Sequence, residues 1–129
     1  MLITAELKDK ILNEFIEMGN AKLQENIYEI SQKYAVNPTI MMMIFDHFEK
    51  LGFFTQEKLT GGIIDFSMKL PAFDFHAHGG FKAQEELLQN NMERLLLEIE
   101  SLKPSLPDKV STITTIVTNI TTALGLIIR

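Results

Sequence analysis

The chain has 129 residues, a net charge of −5 and 46% hydrophobic residues, so it is long enough for one domain or for a small domain with an appended helical part. This composition excludes an intrinsically disordered chain. The acidic balance means that phosphate binding would need a local basic patch. Because the chain has no cysteine, disulfides, thiolate zinc sites and cysteine nucleophiles are also excluded. The N-terminus lacks the basic start and long apolar run of a signal peptide, so a cytoplasmic location is expected.

The first third of the chain predicts three helices. Thr4 is a suitable N-cap for a helix over residues 5–18 that stops at Gly19. Asn20 predicts a second helix to residue 34, whose apolar stripe is Leu23, Ile27, Ile30 and Tyr34.

Asn37 followed by Pro38 predicts the start of a third helix, because proline suits the first helical position, and Gly52 predicts its end. Its expected core stripe has two parts, central residues and flanking ones. The central residues are Ile40, Met43, Ile44, His47 and Leu51, and the flanking ones are Met41, Phe45 and Phe48. The expected outer face is Thr39, Met42, Asp46 and Glu49.

A β-hairpin is predicted after the third helix. Residues 56–59 can pair with residues 63–70 across Thr60-Gly61-Gly62, since paired glycines supply the positive φ angles of a tight turn. In the second strand Ile64, Phe66, Met68 and Leu70 alternate with less apolar residues. The pattern indicates a strand that is buried on one face.

Three runs of sequence resemble parts of winged-helix domains. Residues 27–39 (IYEISQKYAVNPT) resemble the second helix and turn of many such domains, and residues 48–54 (FEKLGFF) resemble the end of their third helix and the entry to the wing. Residues 70–75 (LPAFDF) resemble the strand-to-helix step after the wing in small winged-helix proteins of bacterial and prophage origin. The resemblance covers about residues 5–80. It implies a mainly α (α+β) fold, a winged helix-turn-helix with a small β-hairpin wing over residues 1–80.

The remaining residues, 81–129, predict an oligomerisation region made of two helices. The first, over residues 82–103, carries a coiled-coil seam of Leu88, Met92, Leu95, Ile99 and Leu102. The second, over residues 110–128, has no charged residue and an apolar face that includes Ile113, Ile116, Ile120 and Ile127. A homo-oligomer, first of all a dimer, is therefore expected. A run of about 19 uncharged residues also approaches the length that spans a bilayer, so a membrane tether is an alternative.

The resemblance implies a DNA-binding transcriptional regulator whose third helix enters the major groove. The expected contact residues on that helix, its approach and the wing are Lys33, Asn37, Thr39, Met42, Lys58 and Lys69. Charge opposes this function, because residues 1–80 contain seven lysines and eleven acidic residues, a net −4. The alternative is an acidic winged-helix module that binds a protein partner without binding DNA.

No catalytic arrangement is predicted, and no cofactor is expected. Asp74, His76 and His78 come nearest to a metal site, since all three would point to one side of an extended segment. The set lacks a fourth ligand, and a helical segment would separate its members. A general base at either histidine has no nucleophile that the spacing singles out. We therefore expect a protein that is not an enzyme.

Overall fold

The computed structural model describes the backbone of residues 3–105 and 107–123 and the side chains up to residue 120. Its elements follow the order α1 (Ala5–Glu17), β1 (Lys22–Asn26), α2 (Ile27–Lys33), α3 (Pro38–Lys50), β2 (Phe54–Lys58), a 3-10 turn (Thr60–Gly62), β3 (Ile63–Met68), α4 (Leu70–Ala77), α5 (Gly80–Ser101) and α6 (Pro107–Ala123). The fold is thus mainly helical with one small antiparallel sheet. The chain divides into an N-terminal unit, Met1–Phe81, and a C-terminal unit, Lys82–Arg129.

The predicted caps of α1 and α3 are confirmed. The Thr4 hydroxyl accepts a hydrogen bond from the Leu7 N–H at 3.1 Å. The Asn37 side chain accepts one from the Thr39 N–H at 2.7 Å, one residue past Pro38. Each cap satisfies a backbone donor that the helix itself leaves unpaired.

The predicted second helix is wrong over its first half, where the chain forms β1 instead. β1 pairs antiparallel with β3, which places Leu23 opposite Phe66. The cap of α2 is Asn26 rather than Asn20, and its side chain accepts from the Tyr28 and Glu29 N–H groups at 2.9 and 3.2 Å. A short isolated helix is marginal in water, so the strand pairing and the burial of Leu23 decide the structure here.

The sheet has the order β1-β3-β2, so the predicted hairpin forms two of its three strands. Ile64 and Phe66 are buried as the alternation predicts. The strand nevertheless ends at Met68, and Leu70 is 70% exposed at the start of α4. Pro71 explains the difference, because proline lacks the N–H that a strand needs and suits the first turn of a helix.

The turn between β2 and β3 needs its glycines. Gly61 and Gly62 have φ angles of 75° and 80°. A Cβ atom on Gly62 would lie 2.6 Å from Cε2 of Tyr28, a residue whose side chain is 61% exposed. The tyrosine ring of α2 therefore lies over the turn between β2 and β3.

The core of the N-terminal unit is rich in phenylalanine. Phe15, Phe45 and Phe66 are fully buried, with ring centroids 5.0 to 5.8 Å apart. Phe81 stacks on Phe48 at 5.5 Å, although the two residues lie 33 positions apart in the chain. Aromatic rings thus pack against the buried side of α3, and this packing determines which of its residues face outward.

The C-terminal unit contains the two helices α5 and α6. Ile99 of α5 is buried with Val110 and Val117 of α6, and Met92 and Leu96 pack against them. The two helices therefore pair within one chain along this line.

Candidate functional site

The outward surface of α3 is formed by Thr39, Met43, Asp46 and Lys50, which we call the α3 face. These residues are spaced by four, three and four positions, so they lie on one line of the helix. The line is opposite the buried residues Met41, Ile44, Phe45 and Phe48.

This arrangement corrects the predicted core stripe of the third helix. Met43 is 58% exposed and His47 is exposed, whereas Met42 is half-buried against the core. The core is centred on Phe45 and Phe48 rather than on Ile40 and His47. The buried side of α3 is therefore turned around the helix axis from the predicted side, by about half of the 100° between successive residues. This turn makes Met43 the exposed methionine. Met42, which was expected to reach DNA, mainly fills space beside the core.

Asp46 is held in the middle of the α3 face by two side chains of β2. The Gln56 side-chain amide donates to its carboxylate at 2.7 Å, and the Lys58 ammonium lies 3.6 Å from the same oxygen. The Asp46 and Lys58 side chains are 53% and 48% exposed, so the ion pair is screened by water and contributes at most about 1 kcal/mol. Its main effect is on charge distribution, since the positive charge of Lys58 on β2 is offset by the carboxylate of Asp46.

Lys33 is likewise engaged by an acidic residue. Its ammonium forms an ion pair with the carboxylate of Glu14 on α1, and the Tyr34 hydroxyl donates to the same carboxylate at 3.1 Å. The hydrogen bond with Glu14 raises the pKa of Lys33. Burial, and then the negative charge of Glu14, raises the pKa of the Glu25 carboxyl nearby. The surroundings of Lys33 are thus acidic.

The other predicted DNA contacts are spread over the N-terminal unit. Asn37 uses its side-chain oxygen as the cap of α3, and Thr39 is exposed next to it. Lys69 is exposed at the N-cap position of α4, outside β3. The structure therefore places Thr39 on the α3 face and Lys58 beside it, whereas Lys33 pairs with Glu14 of α1 and Lys69 stands at the N-cap of α4.

Exposed apolar groups are a feature that the sequence analysis missed. Leu51 at the end of α3 is 42% exposed. It lies where α3 leads into β2, and Gly52, the next residue, is close to Pro71 of α4. Leu70, at the start of α4, is exposed as well. The sequence signal for its exposure was Pro71, which ends the strand and begins the helix.

Asp74 and His76 lie in α4, and His78 follows at its C-cap. A helix turns 200° over two residues, so Asp74 and His76 point to opposite sides. The His76 ring is bound to the side-chain oxygen of Asn13 at 2.8 Å, and the His78 ring donates to the backbone carbonyl of Asp74 at 2.7 Å. Within the described residues, no group of three such ligands converges on one point.

The residues predicted for oligomerisation fall into two groups. Met92 and Ile99 lie in the intrachain cluster of α5 and α6. The others that the structure describes are exposed or half-buried: Leu88, Leu95, Leu102, Ile113, Ile116 and Ile120. Ile127 lies outside the described residues.

Comparison of the chain with protein-family models, with curated proteins and with solved structures finds no match. Among the described residues, no helix combines the length and the apolar character that crossing a membrane requires.

Proposed function

We propose that the N-terminal unit is a winged-helix module that binds a protein partner through the α3 face. The partner surface is apolar at its centre, where it meets Met43, and polar around it. This is the alternative that the sequence left open, and here the positions of the side chains favour it over DNA binding.

The position of Asp46 carries the proposal. A duplex in contact with α3 would place phosphates near this carboxylate, and like charges repel. The same carboxylate neutralises Lys58, one of the few cations available to the wing. Phosphate contacts supply much of the affinity of DNA binders. Repulsion by Asp46 and the loss of Lys58 as a phosphate contact would therefore weaken DNA binding strongly.

Met43 supplies the second argument. A flexible, polarisable side chain that is 58% exposed in the middle of a helix suits an adaptable apolar contact. Bases are most often read by Arg, Lys, Asn or Gln, and of these the α3 face has Lys50 alone, in the last turn of the helix.

Site-specific photo-crosslinking in cells tests the proposal. A photoreactive residue in place of Met43 is expected to give one discrete protein adduct, and the variant Asp46→Lys is expected to abolish it. Met18 provides the matched control, because it is a methionine of the same unit, 42% exposed, at the end of α1. Adducts that are equal at positions 18 and 43, or none at either, would refute a partner site on α3.

A DNA-binding regulator is the second candidate, and the element order supports it. The element order α1-β1-α2-α3-β2-β3, with β1 paired to β3, is compatible with a winged helix, a fold that often binds DNA. A salt titration with random-sequence duplex DNA separates the two candidates. We expect no binding even at low salt, whereas binding that weakens steeply with salt would favour the regulator. In that case Lys58→Ala and Lys69→Ala would weaken binding to all sequences.

A further inference from the structure

Three basic side chains of the N-terminal unit meet at the edge of its aromatic core. The Lys8 ammonium of α1 lies over the Phe81 ring, 4.4 Å from its centroid. The His47 ring of α3 lies 6.2 Å from the same ring, centroid to centroid. Lys50 follows His47 by three positions and therefore lies on the same side of the helix. We call Lys8, His47 and Lys50 the basic cluster.

The two lysines of the basic cluster have no acidic partner. Lys33 and Lys58 each form an ion pair with a carboxylate, whereas among the described residues neither Lys8 nor Lys50 does. The negative end of a helix dipole favours cations, which accounts for Lys50 in the last turn of α3. It does not account for Lys8, which comes from α1. The cluster is thus a local excess of positive charge in a chain with a net charge of −5.

The acidic residues nearest to the basic cluster in the sequence are directed elsewhere. Asp46, one residue before His47, is held by two side chains of β2. Glu49 lies about 200° around α3 from His47. On α1 the Asp9 carboxylate accepts the N–H of Phe81 at 2.6 Å.

The surroundings of His47 disfavour a positive charge on its ring. Burial, and then the charges of Lys8 and Lys50, lower the pKa of His47. The ring is therefore mostly neutral at pH 7. A carboxylate beside the basic cluster would offset the two lysine charges and favour the imidazolium. Binding of an anion and uptake of a proton by His47 would then strengthen each other.

The basic cluster adjoins the exposed apolar groups of α3. Met43, His47 and Leu51 follow one another at intervals of four positions, so the histidine lies between side chains that are 58% and 42% exposed. We propose that the basic cluster binds an acidic side chain of the protein partner that docks on the α3 face, and that protonation of His47 tightens this contact. The inference rests on the function proposed above, and it adds the charge of the partner at this end of α3 and a response to pH.

A carboxylate of a protein suits the basic cluster better than the phosphates of DNA do. A duplex along α3 would bring further phosphates towards Asp46, one turn before Lys50. A single acidic side chain with apolar neighbours needs cations at one place only. It also matches the exposed Met43 and Leu51 on either side of His47.

A capped hexa-aspartate peptide tests the proposal on the full-length protein at low salt. Its carboxylates stay ionised between about pH 5.5 and about pH 7.5, so a change in affinity over this range reports the protein. We expect the dissociation constant, measured by fluorescence anisotropy, to fall at least about threefold from the higher pH to the lower. His47→Gln should abolish this change, and His78→Gln, at an exposed histidine of α4, should preserve it.

Lys50→Gln is expected to raise the dissociation constant of the peptide at least about fivefold. Lys22→Gln is the matched control, since Lys22 is an exposed lysine on β1, and it should leave the value within about twofold. NMR of the ring protons follows each histidine, and the peptide should raise the pKa of His47 alone. Equal effects of the two lysine variants, or a pH response that survives His47→Gln, would overturn the proposal.

The crosslink from position 43 separates this inference from the function on which it rests. An adduct that forms equally in the wild type and in Lys50→Gln would overturn the acidic contact and leave the α3 site in place. The absence of any adduct would overturn both. Duplex DNA that binds more tightly than the peptide, with binding lost in Lys50→Gln, would replace the carboxylate by phosphates.

Discussion

Seventeen apolar side chains share one core in the N-terminal unit, whereas the described part of the C-terminal unit buries three. The N-terminal core contains Phe15, Phe45 and Phe66 with no exposed atoms or almost none. The C-terminal hairpin instead exposes Leu97, Ile116 and several other large apolar residues. Because burial of apolar surface is the main source of stability, the larger core is expected to give the first unit more stability of its own than the described core gives the second.

Both units also expose large apolar side chains. In the N-terminal unit these include Met43, Leu51 and Leu70, around a core of seventeen buried residues. In the described part of α5 and α6 they include Leu95 and Ile116, beside a core of three buried residues. If the two cores are independent, a change in one core leaves the unfolding of the other unit unchanged.

The largest effect is expected for Phe45→Ala in the centre of α3. Loss of a fully buried ring that contacts Phe15, Phe54 and Phe66 should lower the free energy of unfolding by about 3–5 kcal/mol. Urea denaturation followed by circular dichroism measures it, with the exposed Met43→Ala as a control expected within about 0.5 kcal/mol of wild type. If the helices of the hairpin melted in the same shifted transition, the units would not be independent.

Gly80→Ala is expected to have the next largest effect, at the junction of the two units. Gly80 has a φ of 74°, and an added Cβ would overlap the Asp9 carboxylate, whose oxygen accepts the Phe81 N–H at 2.6 Å. We expect a loss of about 1–3 kcal/mol from the N-terminal unit, measured by the same denaturation. Gly61→Ala has a similar φ of 75° with open space around it, so the difference between the variants isolates the overlap. Equal losses would show that only backbone strain matters.

Asn37→Ala should lower the stability by about 1 kcal/mol, because the first turn of α3 loses its cap. Asn20→Ala is the control, since Asn20 is exposed and lies outside the elements. Thermal unfolding of both variants measures the effect. A cost at Asn20 as large as that at Asn37 would argue that residue 20 begins a helix after all.

The smallest effect, a gain, is expected for Glu25→Gln in β1. Burial and the charge of Glu14 raise the pKa of Glu25, so the folded state holds its proton more tightly than the unfolded state. For such an acid, stability falls as the pH rises from the unfolded pKa through the folded pKa. The variant should therefore be more stable than wild type at neutral pH, by less than about 1 kcal/mol because the group is partly exposed. The gain should vanish below about pH 4, where the wild-type carboxyl is protonated in both states. A melting temperature unchanged at neutral pH would contradict this account.

Local signals in the sequence predicted local features well. Thr4, Asn37 with Pro38, and Gly61 with Gly62 each act through their own backbone neighbours, and all three predictions are confirmed. The apolar residues Ile27 and Ile30 also lie in the core as predicted. Features that depend on distant partners were harder to predict. Residues 22–26 form a strand because β3 lies beside them, and β3 is about 40 residues away in the chain.

The candidate site shows the same limit. Three consecutive methionines and His47 blur the apolar pattern of α3, so two sides of the helix could face the core. The two sides differ by about half of the angle between successive residues. The phenylalanine rings of α1 and the sheet decide between these rotations, and they put Met43 outside. The pairing of Asp46 with Lys58 and of Lys33 with Glu14 likewise joins residues 12 and 19 positions apart, which periodicity cannot reveal.

The contact of Phe81 with Phe48, Phe53 and Phe75 has a consequence for how the protein is made. The last ring of the aromatic core belongs to the first turn of α5, and Asp9, near the start of the chain, caps that turn. A ribosome must therefore release the chain beyond residue 81 before the N-terminal unit can close its core. Until then the sides of Phe48 and Phe53 that Phe81 covers are exposed to solvent. A nascent chain stalled before that point would present an exposed aromatic surface that chaperones can bind.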